Sequence, residues 1–66
     1  MKKYLLVIEN EKFAANTESI LFKGRYMFKK IGSTKYYVWM NDNDKEELMD
    51  TYDFMAIIEM ETKVKA

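Results

Sequence analysis

The sequence predicts an α+β fold: a small antiparallel sheet of about four strands, ordered β-β-β-α-β, with one short helix near 44–52. Three observations predict it. Lys35-Tyr36-Tyr37-Val38-Trp39-Met40 gathers the single tryptophan, two tyrosines and a β-branched residue, the side chains that suit a pleated, half-buried surface. Gly32-Ser33 stands just before it, where a glycine-led pair suits a type I′ or II′ hairpin turn. Asp42 to Asp53 begins with acidic residues and carries Leu48, Met49 and Tyr52 at helical spacing.

The first strand is read over Lys3–Glu9. Tyr4, Leu5, Leu6, Val7 and Ile8 form a continuous apolar run, the pattern of a strand covered on both faces. Asn10, Glu11 and Lys12 break it, and Phe13-Ala14-Ala15 commits to neither element. Residues 19–31 admit two readings. With period two, Ile20, Phe22, Gly24, Tyr26 and Phe28 share a face, and Gly24 marks a bulge. With helical period, Ile20, Leu21, Met27, Phe28 and Ile31 share a side, capped by Thr17 and stopped at Gly32. The strand reading is preferred, because the helix would leave Phe22 and Tyr26 among charges and Gly24 in its middle. The hairpin then brings Tyr26 and Phe28 across from Tyr37 and Trp39. In the return strand, Tyr36, Val38 and Met40 project to one side and Tyr37 and Trp39 to the other. Asn43 or Asp42 caps the helix, and a last strand runs over about residues 54–62, with Val64 continuing its alternation.

Sixty-six residues make one domain, residues 1–66, with a thin core. The chain has no cysteine and no histidine, so neither disulfides nor the commonest zinc ligands support it. Aromatic side chains, at 15% of residues, are the remaining source of buried area. Lack of cysteine fits a reducing, cytoplasmic location. The apolar run at residues 4–8 is too short for a signal peptide, and no stretch is long enough to span a membrane. Net charge is zero, but residues 1–38 hold eight basic against three acidic side chains, a net +5. Residues 39–66 hold three against eight, a net −5. The asymmetry is either functional or, in the preferred reading, the meeting of two halves that touch and offset each other in so small a domain.

No constellation names a reaction. Without His or Cys the usual base and thiol nucleophile are missing, and two glycines build no phosphate loop, so no enzyme and no cofactor are expected. Asp42-Asn43-Asp44-Lys45-Glu46 imitates the start of a calcium loop, but Glu47 stands where glycine is needed and Asp53 where a bidentate Glu is usual. No metal site is assigned.

Two binding readings remain. The first is a protein-binding module that occupies a partner's surface through Tyr37 and Trp39 and through Asp42, Asp44, Glu46, Glu47 and Asp50, with six methionines offering adaptable apolar surface. The uncovered sheet face also predicts a homodimer. The second is a nucleic-acid-binding β-ribbon using Lys23, Arg25, Lys29, Lys30 and Lys35 among aromatic rings. Small size, the absence of His, Cys and Pro, and many Lys, Asn and Glu resemble, in general character, the small accessory proteins of phages and mobile elements. Many of those inhibit one host protein by binding it. The resemblance carries no motif and transfers no residue, and it favours the inhibitor-like reading.

Overall fold

Residues 1–60 are described by the structure, a computed structural model. Its first strand, β1 (Lys2–Ile8), buries Tyr4, Leu6 and Ile8 and leaves Lys3, Leu5 and Val7 half-buried on its other face. A single 3₁₀ turn (Glu11–Phe13), capped by the Asn10 side chain, leads into α1 (Ala14–Lys23). There follow β2 (Met27–Lys30), β3 (Lys35–Met40), α2 (Asp42–Thr51) and β4 (Met55–Glu59). Among the described residues, the α+β class, the single antiparallel sheet of four strands and a helix near 44–52, here Asp42–Thr51, are all present.

The sheet order is β2-β3-β1-β4, with every neighbouring pair antiparallel. With the strands and α-helices of the described residues ordered β-α-β-β-α-β, this is the split βαβ arrangement of ferredoxin-like topology. The strand β3 runs opposite to β1, and its crossover steps the opposite way across the sheet. Two crossovers of the same hand therefore put both helices on one face. Leu21 of α1 and Leu48 of α2 accordingly join one core with Tyr4, Leu6, Ile8, Tyr36, Val38, Met40, Met55 and Ile57. Each such side chain contributes about 1.5–3 kcal/mol when fully buried.

Residues 19–31 depart from the strand reading. They divide between the end of α1 and the short strand β2. The buried side of α1 is built from small or single-branched residues, Ala14, Thr17 and Leu21, with Ile20 partly covered. Thr17 is not a cap: it is fully buried, and its hydroxyl donates to the Phe13 carbonyl at 2.9 Å. Gly24 is the helix end rather than a bulge. Arg25, at φ 60°, takes the left-handed position, donating its N–H to Phe22, while Tyr26 N–H reaches Leu21, the two bonds of a Schellman motif.

Three finer expectations are also corrected. The β2–β3 connection is not a I′ or II′ turn, since no glycine has positive φ; the N–H groups of Ile31 and Gly32 both donate to the Lys35 carbonyl. Phe28 pairs with Val38 on the helix side, and Met27, not Tyr26 or Phe28, stands opposite Trp39. The cap of α2 is Asn41, whose side chain accepts from Asp44 N–H at 2.8 Å. The tail of the predicted last strand beyond residue 60, including Val64, lies outside the described residues.

Candidate binding face

Because both helices cover one side, the other side of the sheet faces outward. Strand alternation assigns its residues: Met27 and Lys29 from β2, Lys35, Tyr37 and Trp39 from β3, Lys3, Leu5 and Val7 from β1, and Ala56 and Ile58 from β4. Register orders them into rows. Met27, Trp39 and Lys3 form one row, and Lys29, Tyr37, Leu5 and Ile58 the next. Met27 is 69% and Ile58 54% exposed, so large apolar groups meet solvent at both ends of these rows. The division of β3 into Tyr36, Val38 and Met40 inward and Tyr37 and Trp39 outward agrees with the sequence reading.

Tyr37 and Trp39 sit side by side on a central strand, ring centroids 6.4 Å apart and planes inclined at 68°. The Lys3 ammonium lies 4.0 Å from the Tyr37 ring centre and 5.8 Å from that of Trp39. Each ring offers a negative π-face to that cation. Lys3 escaped the sequence reading because it is 34 and 36 positions from the rings, and only the pairing of β1 with β3 brings it there.

Charge is sorted by face. Three lysines, Lys3, Lys29 and Lys35, occupy strand positions of the open face, and no carboxylate does among the described residues. Glu9 and Asp53 stand at its border, lining with Val7 and Ala56 a shallow groove of about 260 Å³. The ion pairs of the described residues all lie on the helix side: Lys2 with Asp42 at 3.0 Å and Glu59 at 3.7 Å, and Lys30 with Glu18 at 3.6 Å.

The predicted residue sets are therefore split. Tyr37 and Trp39 are on the open face, whereas Asp42, Asp44, Glu46, Glu47 and Asp50 belong to α2 on the opposite side. Asp42 accepts from both the Tyr4 hydroxyl and Lys2. Those bonds hold its carboxyl below the ordinary value, Tyr4 contributing most, while the same bond pushes the Tyr4 hydroxyl up to about 12. Glu47 lines an open groove of about 370 Å³ between the helices with Ile20, Lys23, Tyr26 and Tyr52. Residues 42–46, which imitate a calcium loop, form the first turns of α2.

Of the basic set, Lys29 and Lys35 reach the open face. Lys30 turns to the helix side and Glu18; Lys23 and Arg25 lie at the end of α1. Nor are β2 and β3 a free ribbon, since β1 occupies the other edge of β3. Among the described residues no cluster of three metal-ligating side chains occurs, and no helix is long and apolar enough to cross a membrane. Comparison with known proteins finds no matching family model, curated protein or solved structure.

Proposed function

We propose that this protein is a non-enzymatic binding module whose recognition surface is the open face of its sheet. One observation carries the reading: Tyr37 and Trp39 lie together on the central strand of an uncovered face, beside exposed Met27 and Ile58 and three lysines. Contiguous apolar surface rimmed by charge marks an interaction site more often than a solvated face. Aromatic side chains are over-represented among the residues that dominate binding energy. The positive rim suits an anionic partner.

An inhibitor-like protein that occupies a host protein's surface uses this face in the same way. Tyr37 and Trp39 belong to that surface, and the acidic residues of α2, on the far side of the sheet, do not.

The test compares immobilised wild type with two double variants that retain its melting temperature, Tyr37→Ala/Trp39→Ala and Glu46→Lys/Asp50→Lys. Whatever macromolecule the wild type retains should be lost with the first and kept with the second. Retention that survives the aromatic substitutions, or that is lost only with those in α2, rules out the open face as the recognition surface.

A further inference from the structure

Taking the open face as the recognition surface, we infer that its occupant is an unpaired strand of nucleic acid, its bases set against Tyr37 and Trp39 and its phosphates against Lys3, Lys29 and Lys35. The inference rests on the proposal above and adds the chemistry of the partner.

Charge narrows the choice first. A second copy seated face to face would bring Lys3, Lys29 and Lys35 against the same three lysines, with no carboxylate in the strand positions to receive them. An anionic partner meets no such repulsion. The rings narrow it further. Flat π-faces flanked by cations suit a ligand that alternates planar bases with phosphates, and stacking of this kind tolerates any base. Lys3 holds its ammonium over one face of the Tyr37 ring, 4.0 Å from the ring centre. A base stacking on that face displaces the cation, which its flexible stem leaves within reach of the phosphate beside the base.

Geometry then separates single strand from duplex. The rings are 6.4 Å apart, whereas bases in a duplex rise about 3.4 Å per step. Both rings can engage successive bases only where those bases have come apart. The four-stranded sheet is also too broad for the major groove: three strand spacings of about 4.8 Å already exceed a groove about 12 Å wide. Access to an unpaired strand needs neither the groove nor a free ribbon.

Titration of the full chain with a labelled oligothymidylate of about ten nucleotides tests this. Binding is read by anisotropy and, in the wild type, by quenching of Trp39, the only tryptophan. An oligouridylate arm separates RNA from DNA. The expected result is low-salt binding, with log affinity falling against log salt at a slope of about −2, as three phosphate contacts on a single strand require. Tyr37→Ala lowers the affinity by about an order of magnitude. Lys29→Glu/Lys35→Glu abolishes binding, while Lys23→Gln, on the helix side, leaves it within about twofold. A duplex of the same length binds more weakly. The inference is overturned if neither oligonucleotide quenches Trp39 at low salt, or if Tyr37→Ala and the lysine substitutions leave binding unchanged. Two companion measurements separate its failure from failure of the open-face proposal. A glutamate–tyrosine copolymer that quenches Trp39 when oligonucleotides do not leaves the face standing with a protein ligand. A dimer in sedimentation that Tyr37→Ala/Trp39→Ala dissociates, without oligonucleotide binding, makes the face a self-association surface.

Discussion

Two tyrosines show how single residues join the sheet to the helices. Tyr4 and Tyr36 project from neighbouring strands into the core, yet each carries its hydroxyl to a carboxylate, Asp42 of α2 and Glu18 of α1. Each ring contributes apolar area, and each oxygen anchors one helix. Burial, then the 2.8 Å hydrogen bond to Glu18, pushes the Tyr36 hydroxyl up to about 12. The neutral phenol is thus preferred in the folded state, so the native protein binds more protons than the unfolded chain between pH 10 and about 12. The stability from Tyr36 is fully present below pH 10 and is lost as pH rises through about 12. Tyr36→Phe should cost about 1 kcal/mol near neutral pH and flatten the alkaline fall. Urea denaturation at pH 7 and pH 11 checks both; a variant with an unchanged alkaline limb would show that Tyr36 is not its source.

Among the elements, the end of α1 holds an inversion of the usual glycine rule. The left-handed position after the helix, where glycine is favoured, is held by Arg25, and Gly24 stands one residue earlier at φ −79°. Gly24 is needed for space instead. A Cβ there would lie 2.4 Å from Cε2 of the Tyr26 ring, which folds back over the helix end. The two positions should respond with opposite signs. Arg25→Gly relieves a backbone cost of about 1–2 kcal/mol, partly offset by the looser unfolded chain, and should raise the melting temperature by a few degrees. Gly24→Ala, at a backbone position alanine can adopt, gains about 0.4–1 kcal/mol from a stiffer unfolded chain, but displacing the Tyr26 ring costs about 1–3 kcal/mol. It should lower the melting temperature. Thermal melts followed by circular dichroism decide it, and stabilisation by Gly24→Ala would mean that Tyr26 yields freely.

For the whole molecule, one thin core supports everything. Among the described residues, ten buried apolar side chains hold the helices α1 and α2 to one side of the sheet, and a chain without cysteine has no disulfide behind them. A chain of 66 residues has a total stability of only about 3–10 kcal/mol at ordinary values per residue. Leu6, fully buried at the centre of β1, should cost about 2–5 kcal/mol when cut to alanine. That is enough to populate the unfolded chain heavily at 37 °C, and equilibrium urea denaturation reads it directly. Ile58→Ala, 54% exposed on the open face, should cost far less. Equal losses at the two positions would show that the open face is covered after all.

Local pattern determined much of this protein. The alternation in 35–40 placed Tyr36, Val38 and Met40 inward and Tyr37 and Trp39 outward, because successive strand residues must point to opposite faces. Acidic residues and apolar spacing located a helix near 44–52 for an equally local reason, and α2 begins two residues earlier, at Asp42. The helix α1 was hidden because Ala14, Thr17 and Leu21 make a weak apolar stripe, while exposed Phe22 and the early Gly24 imitate strand alternation. Lys29 and Lys30, adjacent in the chain, separate by face for the same period-two reason, a signal present in the sequence once β2 is identified. Tertiary structure alone decided the rest. The run Tyr4–Ile8 has the composition of a strand covered twice, yet Leu5 and Val7 are half-exposed, because both crossovers place their helices on one side. The meeting of Lys3 with Tyr37 and Trp39, 34 and 36 positions away, depends on the order β2-β3-β1-β4, a pairing between distant segments that no local periodicity encodes.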